Sequence, residues 1–320
     1  MKDLNKKIVD KITERLVTDK KSVNYIRDVL CISKESAYRR YKSQIPFSFD
    51  EIATIATALG FSVDEIIGGD QRNRTVLDIP VDKGLQSPFG LFANKIKQEI
   101  GIMNDLLDSK NTNVIAAINR VPLYLMPFKE LFKFEYFNYL YSAGQVPLMT
   151  QFSDIVIPAE IEKLHEKSVE LMSRLPKLTI IVDNLFFSKI INEISYYHDL
   201  KFISDDDFRL LQGDILKFYD MCETLLRTGK NNSGANYSIY YSFLLLNFNC
   251  VYYEYDDKNM LQLYLYPEYP ILINDNPMVS NIQKRWLESV IRNSTLITKS
   301  SDILKIEAFR DIYRKIKEFQ

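Results

Sequence analysis

Apolar residues recur every four positions at Leu4, Ile8, Ile12 and Leu16, which lays one stripe along a first helix. Ser22 is placed to cap a short second helix through Leu30, with Ile26, Val29 and Leu30 turned inward. Cys31 and Ile32 turn the chain. Ser33 can then cap a third helix from Lys34 to about Lys42, and Pro46 stops its continuation because proline lacks the amide proton and restricts the residue before it. A fourth helix is predicted from about Phe49 to Leu59, with Gly60 as its C-cap and Ser62 opening a short turn through Ile67.

Gly68 and Gly69 end this run, and the polar stretch from Asp70, with Pro80, Gly84 and Pro88, reads as a linker. The next helix carries Phe89, Phe92, Ile96, Ile100, Met103 and Leu107 at the spacing of a straight helix, a stripe that can dock on its own body or pair with its copy. Strand-like and helix-like blocks then alternate. Val114–Ile118 and Leu178–Val182 read as strands, and Pro127–Tyr141, Ala159–Leu175 and two segments reaching Leu226 read as helices. A flexible loop, Thr228–Gly234, opens onto a β-like stretch from Tyr237 to Tyr255, whose partner Leu261–Tyr266 is reached through Asp256–Asn259 as a hairpin or a meander. Two amphipathic helices close the chain, about Val279–Arg292 and Asp302–Phe319. The expected fold is an all-α domain over residues 1–69, a linker over 70–88, and a mixed α/β (α+β) domain with a hairpin-containing sheet over 89–320.

The segment Ser22–Tyr41 resembles the helix-turn-helix of lambda-repressor-like, Xre-type transcriptional regulators. Phe49–Ile67 is similar to that family's following helix and its ending, Ala58-Leu59-Gly60 and then Ser62, Asp64 and Glu65. The family usually has glycine where Cys31 stands, alanine where Arg27 stands and glutamine where Val23 stands. The resemblance implies a bacterial regulator that binds double-stranded DNA. The physical requirement is that a first helix brace a second, whose outer face enters the major groove. Ile26, Leu30, Ile32, Ala37 and Tyr41 form the expected brace. Ser33, Lys34, Glu35, Ser36, Tyr38, Arg39, Arg40 and Lys42 are left for bases and phosphates.

Charge distribution agrees with this. The whole chain is near neutral at −1, yet Met1–Ile45 holds twelve Lys and Arg against six Asp and Glu, an excess of six that suits phosphate contact. Three scattered cysteines, Cys31, Cys222 and Cys250, fit neither a disulfide framework nor a zinc site. With no apolar signal core and no long apolar span, a cytoplasmic chain without a membrane partner is expected.

Only two histidines are available for catalysis. His165-Glu166-Lys167 begins like the signature of the phospholipase D superfamily, but Met172 stands where its aspartate belongs, and His165 reads as a surface residue. His198 has no neighbouring Cys or His to share a metal. Ser204 with Asp207 reads as a capping box. Thr228-Gly229-Lys230 lacks the rest of a phosphate loop. Aromatic residues surround the helix from Phe128 to Tyr141, as expected of a buried element, while Tyr237, Tyr240, Tyr241, Tyr252, Tyr253 and Tyr255 could line a ligand pocket. The expectation is a homodimeric transcription regulator without cofactor or catalysis, its second domain answering to a small-molecule or protein effector. A protein-interaction or antitoxin-like module, or an enzyme with a degenerate phospholipase D-like domain, are the alternatives.

Overall fold

In a computed structural model the described elements are helices up to Asp108 and mixed α/β beyond. The structure describes residues 2–16, 19–61, 63, 66, 88–142, 144, 146, 147, 150–246, 249–256, 258–266, 269–274, 277–301 and 314. Two compact units are present, residues 1–78 and 79–320.

The first unit holds α1 (Lys2–Leu16), α2 (Asp19–Leu30), α3 (Lys34–Tyr41) and α4 (Phe49–Leu59). In their core, Ile8 and Ile12 of the anticipated stripe, the brace residues Ile26 and Ala37, and Ile55 of α4 are all buried to 1% exposure or less. Gly60 ends α4 with φ at 68°, a left-handed conformation that costs glycine nothing. α2 starts four residues earlier than expected, at Asp19. Ser22 is not its cap but lies inside it, fully buried on the face that also carries Val23 and Ile26. Of the turn after Gly60 only Val63 and Ile66 are described. Ser62, Gly68, Gly69, residues 70–87 of the expected linker and, Arg314 apart, the last expected helix lie outside the described residues.

The second unit is built on a sheet of seven described strands in the order β6-β5-β4-β1-β2-β3-β7. They are β1 (Thr112–Ile118), β2 (Lys177–Val182), β3 (Asn236–Tyr241), β4 (Asn249–Tyr255), β5 (Lys258–Tyr266), β6 (Tyr269–Asn274) and β7 (Thr295–Leu296). β1, β2 and β3 run parallel, while β4, β5 and β6 extend the β1 edge antiparallel. α5 (Pro88–Asp108), α6 (Lys129–Ser142), α7 (Ala159–Arg174), α8 (Leu185–Asp199) and α9 (Asp205–Thr228) share one core with alternate strand residues such as Val114, Ala116, Ile180 and Ile239. Against the opposite face lies α10 (Pro277–Arg292), where Lys284 pairs with Glu254 at 2.9 Å and the Gln283 amide donates to Cys250 Sγ at 3.4 Å. Residues on both faces of β1 and β2 are buried, Val114, Ala116 and Ile180 on one and Ile115, Ala117 and Ile181 on the other, which is why these strands read as nearly continuous apolar runs.

Several expectations change here. Tyr237–Tyr255 is not one arm of a hairpin. β3 pairs with β2, β4 pairs with β1, and residues 242–246 pass between them, so these two tyrosine-rich strands lie on opposite sides of the parallel pair. The hairpin itself joins β4 to β5, with Asp256 at φ 48° and Tyr255 opposite Lys258. The helix 89–107 has no apolar stripe to spare for a second copy: Phe92, Ile96 and Met103 are buried in the body's own core, and Phe89, Ile100 and Leu107 pack on it. His165 is not a surface residue. Its ring stacks on Phe132 with centroids 3.6 Å apart, its Nε2 meets the Leu123 carbonyl at 3.2 Å, and burial pushes its pKa down to about 4. The expected box at α9 is half present, since Ser204 Oγ accepts from the Asp207 amide but donates to the Asp207 carboxylate.

One buried acid is an exception to the apolar packing of α5. Glu99 is 3% exposed. Its Oε1 accepts from the Tyr264 hydroxyl at 3.3 Å, and its Oε2 has no partner among the described residues. Burial pushes its carboxyl up to about 7, against the pull of Lys95 and of Tyr264. The unfolded chain releases this proton near 4.5, so stability is fullest below that pH, falls between about 4.5 and 7, and is level above. Removing the titration by Glu99→Gln should therefore stabilise the protein at pH 8 relative to pH 5 by on the order of 2 kcal/mol. Urea unfolding of both proteins at the two pH values measures this, and an equal difference at both would exclude the assignment.

Candidate nucleic-acid interface

α2 and α3 are joined by three residues, Cys31, Ile32 and Ser33. The turn is closed by the Ile32 amide donating to the Arg27 carbonyl at 3.2 Å. Cys31 takes φ 52°, a left-handed conformation that a β-carbon disfavours, at the position where the resembled family has glycine. Ser33 caps α3 as expected, its Oγ accepting from the Ser36 amide at 3.2 Å. Ala37 has no exposure, and its single methyl lets α3 approach α2 closely. Ile26 and Tyr41 are buried beside it, and Leu30 and Ile32 pack at the margin.

Arg40 departs from expectation. It does not face outward with its neighbours. Its guanidinium reaches α4, with Nη2 2.8 Å and Nε 3.1 Å from the two Glu51 carboxylate oxygens, and Nη1 donates to Ser36 Oγ at 3.1 Å. The two side chains are only 16% and 20% exposed. Glu51 is in turn fixed by the capping box of α4, accepting from the Ser48 amide at 2.9 Å while its own amide donates to Ser48 Oγ at 3.2 Å. Burial pushes the Glu51 carboxyl up, but Arg40 and the Ser48 amide outweigh it and hold it below the usual carboxylate range. Arg40 and Ser36 are thus positioning residues.

A second tie was not anticipated. Asn5 on α1 is 5% exposed. Its Nδ2 donates to Ser43 Oγ at 2.9 Å and to the Arg40 carbonyl at 3.3 Å, and its Oδ1 accepts from the Phe47 amide at 2.9 Å. One side chain therefore holds the end of α3 and the loop that follows it. Ser48 followed by Glu51 is a readable capping signature. No pattern marks Asn5, because its partners lie 35 to 42 residues away.

What remains outward on α3 is Glu35, Tyr38, Arg39 and Lys42, at i, i+3, i+4 and i+7 on one helical face, with Lys34 and Ser33 exposed at its start. Tyr38 is 48% exposed, and Lys42 Nζ lies 5.9 Å from the Tyr38 ring centre and 5.4 Å from that of Tyr41. Three cations against one acid, Lys34 beside the electropositive N-terminus of α3 and Arg39 and Lys42 at its other end, suit a phosphate-lined groove. Among the described residues no cluster of three or more His, Cys, Asp and Glu could hold a metal ion, and no helix is long and apolar enough to cross a membrane.

Residues 4–97 match the model of the BetR domain. This is a helix-turn-helix-type DNA-binding domain. The BetR match spans α1 to α4 and runs ten residues into α5. No curated protein matches the chain. The BetR span includes α2, its turn and α3.

Two substitutions test how α3 is held. Cys31→Gly should stabilise the protein by roughly 0.5–1 kcal/mol, the relief of a left-handed β-carbon less the added freedom of the unfolded chain. Asn5→Ala should cost about 1–3 kcal/mol because it leaves the Phe47 amide without its acceptor. Thermal or chemical denaturation reads both. Destabilisation by Cys31→Gly would show that the turn carries no strain.

Proposed function

We propose that this protein is a sequence-specific, DNA-binding transcription regulator that reads the major groove with α3 and answers to a signal through a non-catalytic second domain over residues 89–320. The BetR-type match supports DNA binding and regulation by the N-terminal region. The observation that carries the finer reading is the division of labour on α3. Ala37, Tyr41, Ser36 and Arg40 are used to seat the helix, and Glu35, Tyr38, Arg39 and Lys42 form one outward face. In this reading Arg39 reads a base edge, Lys34 and Lys42 contact phosphates, Ser33 and the amides of the first turn face the backbone, and Tyr38 packs against the groove wall. The protein acts as a homodimer in the cytoplasm, its two α3 helices about 34 Å apart on a two-fold site. The α5 stripe, already covered, is not the dimer surface.

Selection of bound duplexes from a random pool by the full-length protein, followed by salt titration, is the test. Arg39→Ala should cost about 1–3 kcal/mol and relax one base position. Lys34→Ala should weaken binding to all sequences and lower the salt slope by about one. Arg40→Ala should lower stability first, with its effect on binding following from the displaced helix. A folded protein that enriches no sequence and binds no duplex at low salt would remove the proposal.

A further inference from the structure

In open parallel sheets ligands usually sit beyond the carboxyl ends of the strands. Here that end is closed. Arg120, just after β1, pairs with Glu135 at 2.8 Å and Glu193 at 2.7 Å. Asp183, just after β2, accepts from the Leu185 amide at 2.9 Å and the Leu246 amide at 2.7 Å, which draws residues 242–246 across the strand ends. Asn119 donates to the Leu246 carbonyl and accepts from Lys189 at 2.8 Å, completing the cover. The void left beside Arg120 is about 40 Å³, room for water but not for an effector.

The opposite edge is open. A cavity of about 380 Å³ lies between α7 and α9 where β2 and β3 begin, within the size range of small-molecule sites. Its lining is apolar on the inside, from Leu125, Val169, Met172, Met221 and Leu225, with the buried ring of Tyr237 beneath. The loop that borders it is held in place. Asn231 Nδ2 donates to the Ser173 carbonyl at 2.7 Å, and its Oδ1 accepts from the amides of Ser233 and Ala235 at 3.0 and 2.9 Å. This side chain ties the segment after α9 to the end of α7 and keeps the space between them from collapsing. At the mouth stand one acid, Asp220 on α9, and one base, Lys230 on the loop. Both are exposed, and neither forms an ion pair among the described residues. Opposite charges that line one apolar cavity without neutralising each other match a ligand that carries both.

We propose that this cavity binds a small amphipathic zwitterion, an apolar body seated on Leu125, Met172 and Tyr237 with an amino-acid-type head whose ammonium group faces Asp220 and whose carboxylate faces Lys230. As the signal-receiving site it deepens the sensing role proposed above and rests on that role, whereas ligand binding itself is independent of DNA. Calorimetric titration of the full-length protein with L-phenylalanine, phenethylamine and 3-phenylpropionate, without DNA, tests it. Phenylalanine should bind more tightly than either singly charged analogue. Asp220→Asn and Lys230→Ala, both at the surface, should each weaken phenylalanine binding about tenfold. Leu225→Trp, which fills the cavity, should abolish it in protein that still unfolds cooperatively. Absence of phenylalanine binding at millimolar concentration, equal binding of all three compounds, or indifference to both surface substitutions would overturn the proposal. Binding that leaves DNA affinity unchanged would overturn the sensing role while leaving the site in place.

Discussion

The contact between Arg40 and Glu51 joins α3 to α4 through a pair of charge-assisted bonds in a partly buried setting, and the presentation of α3 depends on it. Such a pair is costly to break, because either partner left alone is a poorly solvated charge. Its geometry is set in advance by the Ser48 capping box, which fixes Glu51 before Arg40 is considered. The buried Ala37 brings α3 against α2 on one side, and Asn5 holds its far end on another. An eight-residue helix makes few bonds of its own and has little intrinsic stability. It is the surrounding ties that hold it in place beneath the exposed Arg39, Tyr38 and Lys42.

Under the proposed reading, such anchoring has consequences for recognition. Side chains that must meet base edges within a hydrogen-bond distance gain from a helix that does not shift, since ordering it at binding would subtract from affinity. The strained Cys31 turn runs against this economy. A left-handed cysteine persists because the helices on either side determine the path of the chain between them, and the cost is borne by the rest of the small core.

The second unit places its polar side chains on the same principle but to a different end. Arg120, Glu135, Glu193, Asn119 and Asp183 are spent on closing the carboxyl edge of the sheet, and Asn231 on holding open the other. Buried polar groups in a low-dielectric interior need partners, so a network that satisfies nearly all of them leaves little capacity for ligands at the same place. Glu99 is one exception, a buried carboxyl with one oxygen unpaired among the described residues, and burial raises its pKa.

Local patterns in the chain determine much of this protein. The spacing of Leu4, Ile8 and Ile12, the caps Ser33 and Gly60, and the turn between Leu30 and Lys34 depend on neighbours within a helical turn or two, and each is readable from the order of residues alone. So are the two parallel strands with their continuous apolar runs, and the helix-turn-helix likeness in the span the BetR match covers. Only the tertiary structure decided that Arg40 faces α4 while Arg39 faces out, since adjacent residues on a helix diverge by about 100° and the crossing of α3 with α4 selects between them. It alone buried His165 under Phe132, turned the α5 stripe into the body's own core, and sent β3 and β4 to opposite sides of the parallel pair. These outcomes rest on contacts between residues far apart in the chain, for which the order of residues carries no periodic signal.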